Sequence, residues 1–293
     1  MYTDWFEVID PRFEALILPN VHVDQLYDGG RWLEGPVYVP AARHLLFSDI
    51  PNNRVLRFNE CDGAVSVFEA PSGFANGHTL DRQGRVISCE HLTRRVTRRE
   101  HDGHLTVLAD SYDGKRLNSP NDVVEASDGS VWFTDPTYGI STEYEGARLD
   151  SEIGSRNVYR IDPSGAVSVV LSDLVQPNGL AFSWDEKILY VADSGSKPSR
   201  LLAYTVSGGK LSAGRLIAEA PRGIFDGFRI DRHGHIWTSA ADGVHCLTAD
   251  GDLLGKIRIP AAVANLTFGG PARNRLYICA TRALYAVYLN VTG

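Results

Sequence analysis

The sequence is poor in cysteine and has no long apolar run, and both absences limit what the protein can be. No two of its cysteines stand close enough for a CxxC-type pair, so metal ligation by cysteine or a disulfide framework is not expected. No segment approaches the roughly 18 apolar residues of a spanning helix, and residues 1–7 lack the features of a signal peptide. We therefore expect a cytoplasmic protein with no membrane partner. The four cysteines are Cys61, Cys89, Cys246 and Cys279.

Positive charge is also scarce, and several catalytic motifs are missing. The net charge of −7 argues against nucleic acid, because phosphate binding requires a basic surface. The one basic run, residues 94–99, is interpreted as an edge strand protected by its charges. No serine nucleophile elbow, P-loop or dinucleotide fingerprint is present. Function therefore has to be sought in a different kind of site.

Helical periodicity is nearly absent, apart from a predicted short helix around Trp5 to Ile9. The rest consists of short runs rich in Val, Ile, Leu, Tyr and Trp, separated by Asp-Gly, Asn-Gly and similar turns, which predicts an all-β fold. Six repeats can be aligned, at intervals of 42, 45, 57, 48 and 39 residues, close to the 40–50 of a four-stranded propeller blade. We predict one domain, residues 1–293, folded as a six-bladed β-propeller. The repeats open at Glu34, Asn76, Asn121, Asn178, Asp226 and Asn265.

Two segments do not fit the plain repeat. The sixth copy supplies only three strands, and residues 21–27 match the missing outer strand, so we predict that this N-terminal strand joins the last blade and closes the ring. Residues 1–20 are then an N-terminal extension. The longest interval contains an insertion at residues 137–156, predicted on the face where the first strands begin. It is interpreted either as a binding loop or as a purely structural one.

The opening residues of the six repeats predict a functional ring. First strands line the channel of a propeller, so these six oxygen-bearing side chains converge on one place. Each alone fits an ordinary turn residue, but turn chemistry would admit Gly, Ser or Pro somewhere among the six. The second strands run back toward the same face, and four of them end in an acid expected around the same mouth. These acids are Asp49, Glu90, Asp135 and Asp193.

Two carboxylates with several amides are the donors that a calcium-like cation prefers. Zinc normally takes His or Cys, and magnesium needs stricter octahedral geometry. Such a cation is a Lewis acid that polarises a carbonyl or phosphoryl oxygen. Asp226 is the natural base for an attacking water, although a cation lowers the pKa of a carboxyl group. His78 and Glu90 are the alternative bases.

Five stretches together resemble the family of gluconolactonases, senescence marker protein (regucalcin) and luciferin-regenerating enzyme, and most closely the bacterial gluconolactonases. The resemblance implies a six-bladed propeller with one divalent cation, held by Glu34, Asn178 and Asp226. It also implies that Asn121 contacts the metal or the substrate and that Asp226 is the acid/base. The animal members carry an arginine where Ser119 stands here. The stretches are residues 33–36, 75–78, 117–122, 132–139 and 177–180.

We therefore predict a metal-dependent lactonase acting on a sugar-acid lactone such as glucono-1,5-lactone. Calcium is the favoured cation, with zinc, manganese and magnesium as alternatives. The sequence leaves open whether the protein forms a homo-oligomer. An organophosphate or other ester hydrolase, or a non-catalytic propeller that binds calcium or a protein, are the rival hypotheses. The predicted metal ligands are Glu34, Asn121, Asn178 and Asp226. The predicted substrate contacts are Asn76, His78, Glu90, Arg116, Asn121 and Tyr138.

Overall fold

The protein is a six-bladed β-propeller. We analysed a computed structural model that describes residues 4–293. Its six principal sheets are antiparallel and each is built from consecutive strands, as in the blades of a propeller. The prediction of an all-β propeller with four-stranded blades is confirmed. We number the blades in chain order, and blade 1 begins at Leu33 and blade 6 at Val263.

The inner two strands of each blade follow the predicted repeat. The second strands end at the predicted residues, because each apolar run stops at a loop. The inner strands of blades 1–6 are Leu33–Val39, Ala75–Leu80, Val123–Glu125, Pro177–Phe182, Phe228–Ile230 and Val263–Gly269. The second strands are His44–Asp49, Val86–Glu90, Val131–Asp135, Ile188–Asp193, Ile236–Ala240 and Arg275–Ala280.

The outer half of the blades completes the sheets. The third strands are Arg54–Asn59, Arg95–Arg99, Asn157–Ile161, Arg200–Ser207, Gly243–Leu247 and Ala283–Tyr288. The fourth strands of blades 1–5 are Val65–Glu69, Leu105–Ala109, Val167–Leu171, Arg215–Glu219 and Leu253–Arg258. Two-residue strands occur at Ser111–Tyr112, Lys115–Arg116 and Lys210–Leu211.

The ring closes as predicted. The N-terminal strand Asp24–Asp28 pairs antiparallel with Ala283–Tyr288 and supplies the fourth strand of blade 6. A bridge between Ile17 and Leu289 adds a second tie between the two ends of the chain. Because the first and last parts of the chain share one sheet, blade 6 has no unpaired third strand.

The helix predicted around Trp5 to Ile9 is wrong. Residues Phe6–Val8 form a strand that pairs with Leu253–Arg258 and becomes a fifth strand of blade 5. Phe6 is buried while its neighbours are partly exposed, which is the alternation of a strand on an edge. A 3₁₀ helix, Pro11–Ala15, follows and buries Phe13 against Trp237. The first three residues of the predicted extension lie outside the described residues.

The edge-strand interpretation of the basic run is also wrong. Arg95–Arg99 is the third strand of blade 2 and is paired on both sides. Its arginines are neutralised by acids, with nitrogen–oxygen distances of 2.6–2.8 Å. The charges therefore serve local ion pairs rather than protection of an open edge. The pairs are Arg95–Glu90, Arg98–Glu100 and Arg99–Glu69.

The core lies between the blades. Each sheet packs its apolar faces on its two neighbours, as where Tyr38 of blade 1 stacks on Tyr277 of blade 6 with ring centroids 5.9 Å apart. Burial on both faces fixes the blades against one another, so the inner strands form a firm support for the channel. The only α-helix among residues 4–293 is Tyr138–Ser141, in the 137–156 insertion. Two further 3₁₀ turns are Pro40–Ala42 and Ile50–Asn52, and no described helix is long and apolar enough to cross a membrane.

Candidate active site

The six opening residues of the repeats lie side by side at one end of the channel, and we call them the ring. In four blades a glycine follows the ring residue, where a Cβ would collide with the next blade. At Gly35 it would lie 1.9 Å from the carbonyl oxygen of Asn76. The Gly77 N–H donates to the carbonyl of Asn121 over 2.8 Å. Close approach of adjacent inner strands therefore requires glycine here, a repeated signal that the sequence contained and we did not use.

Irregular pairing shapes the ring. The register between inner and second strands shifts at the ring position in blades 1, 2, 4 and 6. Such bulges re-aim a side chain and are frequent next to active sites. The shifts lie between Glu34 and Val37, Ala75 and His78, Pro177 and Leu180, and Val263 and Asn265.

Glu34 is held by its neighbours through one oxygen only. Its Oε2 accepts from the Gly35 N–H over 2.7 Å and from Asn265 Nδ2 over 3.0 Å. The other amide atom of Asn265, Oδ1, accepts from the N–H of Leu266. Both amide atoms of Asn265 are thus engaged, and its Nδ2 orients Glu34. Within residues 4–293, Oε1 of Glu34 has no hydrogen-bond partner and is available to a ligand.

Asp226 lies in the same ring, next to Asn178. The Asp226 backbone N–H donates to Ser239 Oγ over 2.8 Å, and the Asn178 amide donates to the Asp226 carboxylate. Tyr138, from the insertion, lies close enough to Asn178 and Ser194 for their side chains to act on the pKa of its phenol group. The structure therefore brings the insertion close to the predicted metal ligands.

Negative charge accumulates at this end of the channel. Burial is the main cause that raises the pKa of Glu34 from 4.5 to about 8 and that of Asp226 well above its ordinary 3.8. Repulsion adds to this, since Asp122 and Glu145 act on both groups and Glu34 acts on Asp226. The nearby cation Arg229 lies 3.6 Å from Asp122, whose Oδ2 has no hydrogen bond within the described chain. Burial and neighbouring acids thus dominate the surroundings of the two ring carboxylates.

This donor set fits a hard divalent cation. The ring offers carboxylate and amide oxygens, which suit calcium better than zinc. No group of three or more His, Cys, Asp or Glu side chains in residues 4–293 is arranged to hold a metal, so the amides of Asn121 and Asn178 would have to complete the coordination. A bound cation would supply the positive charge that the buried carboxylates lack.

Other acids at the same end have a different surrounding. We call Asp49, Asp135 and Asp193 the strand-end acids, because each ends a second strand. Each accepts from backbone N–H groups two or three residues before a ring residue, over 2.8–3.3 Å. They fix the loops that lead into the ring. The donors are Arg31 to Asp49, Asn118 and Ser119 to Asp135, and Val175 and Gln176 to Asp193.

Three predicted site residues lie apart from the ring. His78 contacts the hydroxyls of Ser48 and Ser88 at 2.9 and 2.8 Å. It lines a cavity of about 380 Å³ at the opposite end of the inner strands, and burial lowers its pKa to about 4. Glu90 is occupied by Arg95, 2.7 Å away, and by hydroxyl donors. The exposed Arg116 donates to the Thr93 carbonyl over 2.9 Å.

The structure adds two residues that sequence reasoning missed, His91 and Glu145. His91 directly follows the second strand of blade 2, outside the repeat positions that we compared. Glu145 lies in the irregular part of the insertion. The only sequence signal was their location, one beside a strand-end residue and the other in the longest inserted loop. Both lie close to the ring, as described below.

Comparison with known proteins finds a family match over most of the chain. The family model described as "SMP-30/Gluconolactonase/LRE-like region" matches residues 32–282. A gluconolactonase of Zymomonas mobilis is 30% identical over 308 residues, covering 97% of this chain and 85% of that protein. The solved structure of a gluconolactonase from Xanthomonas campestris superposes with a TM-score of 0.93 at 38% identity, covering 98% of this chain and 95% of that one.

A more distant structure shares the fold. Regucalcin from Agrobacterium tumefaciens, described as a calcium-binding protein, superposes with a TM-score of 0.77 at 19% identity and covers 92% of this chain and 94% of that one. The family match spans most of the chain, including all six ring residues. The chain therefore belongs to the SMP-30/gluconolactonase/LRE-like family.

Proposed function

We propose that this protein is a metal-dependent lactonase that hydrolyses a sugar-acid lactone such as glucono-1,5-lactone. The observation that carries the proposal is the pair of buried ring carboxylates, Glu34 and Asp226, whose pKa values are raised by burial and by repulsion from neighbouring acids. The relatives named gluconolactonase, pentonolactonase and lactonohydrolase support the same reaction class. The regucalcin described as calcium-binding supports calcium as the cation.

In this proposal the ring holds the cation and the loops hold the sugar. Glu34, Asn121, Asn178 and Asp226 would be the metal ligands. When bound, the cation would act as a Lewis acid on the lactone carbonyl. Zinc, manganese or magnesium could replace calcium only if the ring tolerates their stricter ligand or geometric preferences.

Asp226 would accept the proton of the attacking water. Burial and the charge of Glu34 raise its pKa, which opposes the lowering that a cation causes, and a base works best when its pKa is near the working pH. Water would add to the lactone carbonyl carbon, and the ring ester bond would break to give the open hydroxy acid. The leaving alkoxide then needs a proton, which protonated Asp226 can return.

Asn76, Asn121 and Tyr138 are proposed as the substrate contacts. The predicted contacts by His78, Glu90 and Arg116 are not part of the proposal, since their polar groups lie apart from the ring or are engaged by other side chains and backbone.

The test is proton release from a panel of aldonolactones, measured on metal-stripped protein before and after addition of Ca²⁺, Zn²⁺, Mn²⁺ or Mg²⁺. Spontaneous hydrolysis is subtracted with a protein-free control, and a phosphotriester is included as the rival substrate. We expect lactone turnover that depends on the added cation. Turnover of the phosphotriester alone, or none with metal bound, would contradict the proposal.

A further inference from the structure

His91 uses both nitrogens of its ring to join the insertion to the ring of the propeller. Its Nδ1 lies 3.0 Å from the carbonyl oxygen of Glu145, and its Nε2 lies 3.3 Å from Nδ2 of Asn76. The side chain is fully buried beneath the insertion, where a Cβ on Gly139 would lie 2.4 Å from His91 Cβ. His91 is therefore packed and hydrogen-bonded in one orientation.

These partners decide where the proton of His91 lies. A carbonyl oxygen can only accept, so Nδ1 carries the hydrogen. Burial lowers the pKa of His91 to about 4, so the imidazole is neutral near pH 7 and Nε2 is an acceptor. Asn76 must then turn its NH₂ group toward His91. Its Oδ1 faces away from His91 and has no hydrogen-bond partner in residues 4–293.

The contact with Glu145 fixes the insertion. Residues 142–149 are folded on themselves, with the N–H groups of Ala147 and Leu149 donating to the carbonyls of Gly139 and Ile140. Within the described chain, the bond from His91 is the one direct hydrogen bond between this segment and the blades.

The carboxylate of Glu145 lies near the ring acids. It is close enough to Glu34 and Asp226 to raise the pKa of both groups. Burial raises its own pKa, and its carboxylate has no hydrogen-bond or ion-pair partner among residues 4–293. Asn76 Oδ1 and the Glu145 carboxylate are thus two acceptors beside the ring that have no hydrogen-bond donor among residues 4–293.

We propose that His91 is a positioning residue for substrate binding. One nitrogen holds Glu145 at the mouth of the channel, the other turns the Asn76 amide oxygen toward it, and the two acceptors bind hydroxyl groups of the substrate. This inference rests on the proposed lactonase function. It predicts that the site distinguishes polyhydroxylated lactones from alkyl lactones of the same ring size, since only the former offer donors to both acceptors.

Three variants separate the two contacts of His91. His91→Asn keeps a donor near the Nδ1 position and loses the partner of Asn76. His91→Gln places an amide near the Nε2 position and loses the bond to Glu145. His91→Phe keeps the ring volume and loses both. If the last variant fails to fold, the first two still separate the roles.

The first readout needs no activity. Hydrogen exchange of peptides covering residues 142–149 should rise about tenfold in His91→Gln and His91→Phe, as expected for one lost hydrogen bond. It should stay near the wild-type rate in His91→Asn. Equal exchange in the wild type and His91→Phe would overturn the proposal.

The second readout is kinetic. In His91→Phe, KM for glucono-1,5-lactone should rise about tenfold with kcat little changed, while the kinetics with δ-valerolactone, which has no hydroxyls, should match the wild type. An equal loss on both substrates would mean general damage to the site and would overturn the proposal. If the wild type turns over no lactone, the proposed function fails, and the exchange experiment alone decides whether His91 holds the insertion.

Discussion

Two groups of buried acids lie at the same end of the propeller and differ in what their carboxylates contact. The strand-end acids receive backbone N–H donors from the loops before the ring, as Asp135 does from Asn118 and Ser119. The ring acids Glu34 and Asp226 are also buried, but neighbouring carboxylates repel them and raise their pKa further. Both groups are buried, but they differ in the partners of their carboxylates. This difference separates acids that support the fold from acids that can bind a ligand.

The largest expected effect is on catalysis, from a ring acid. Asp226→Asn removes the base and a metal ligand, so kcat/KM for the lactone should fall by about 10³-fold. The fold should remain, because Asn has nearly the same size and shape as Asp and places no charge in the buried site. The measurement is metal-restored turnover beside a thermal unfolding curve. Wild-type turnover in this variant would remove Asp226 from the mechanism.

The pH dependence of stability gives the second contrast. The pKa of Glu34 is raised in the folded protein, to about 8. Its contribution to stability is therefore full below the unfolded pKa of about 4.5 and is lost as pH rises through about 8. Metal-stripped protein should lose stability across this window, and added Ca²⁺ should restore it at the upper end.

Glu34→Gln is the control for that experiment. Asp135, with its pKa raised to about 7, also stabilises the folded protein less as pH rises. His78 and His91, with pKa values lowered to about 4, contribute oppositely as pH falls below about 6.5. The difference in unfolding free energy between wild type and Glu34→Gln, measured across the pH range, isolates the contribution of Glu34. Identical pH profiles of urea unfolding would contradict the assigned role of burial at Glu34.

Unlike substitution of Asp226, substitution of a strand-end acid should lower stability and leave turnover unchanged. Asp135→Asn replaces one carboxylate oxygen by an NH₂ group that cannot accept from Asn118 or Ser119, which should cost about 1–3 kcal/mol of unfolding free energy. Turnover by the folded protein should be retained. The measurement is the urea midpoint together with turnover at low denaturant. Loss of activity without loss of stability would break the distinction between the two groups.

The smallest expected effect comes from the residue that orients a ring acid. Asn265→Ala removes the Nδ2 donor to Glu34, and loss of such a supporting contact should weaken cation binding about tenfold. Asn290→Ala, which removes a donor to the Ala15 carbonyl far from the ring, is the matched control. Unchanged cation affinity in Asn265→Ala would show that Glu34 does not need this support.

The repeat made the ring predictable from the sequence, and its limits explain the rest. Equivalent positions in six blades converge whatever their separation, so Glu34, Asn178 and Asp226 could be placed together from spacing alone. Alternation along a strand also suggested His78, two residues after Asn76. The bulge between Ala75 and His78 and the rise along the strand instead place it toward the other end of the channel.

The spacing of the repeats does not predict which side chains form hydrogen bonds with one another. That the Nδ2 of Asn265 orients Glu34, whereas Asn178 acts on Asp226, depends on rotamers and not on the repeat. His91 lies one residue past a strand end, and Glu145 lies in a loop without periodicity, so neither had an equivalent in another blade. The N-terminal strand Phe6–Val8 was missed because three residues do not distinguish a helix from an edge strand.

Calorimetric titration of Ca²⁺ into metal-stripped protein tests the central claim most directly. We predict one binding site in the wild type with release of protons, because the pKa of Glu34, raised to about 8, keeps this group largely protonated at neutral pH when no cation is bound. Binding should be severely weakened in Glu34→Gln and Asp226→Asn and retained in Asp135→Asn. Absence of binding in the wild type, or equal binding in all four proteins, would contradict the assignment of the ring as a metal site.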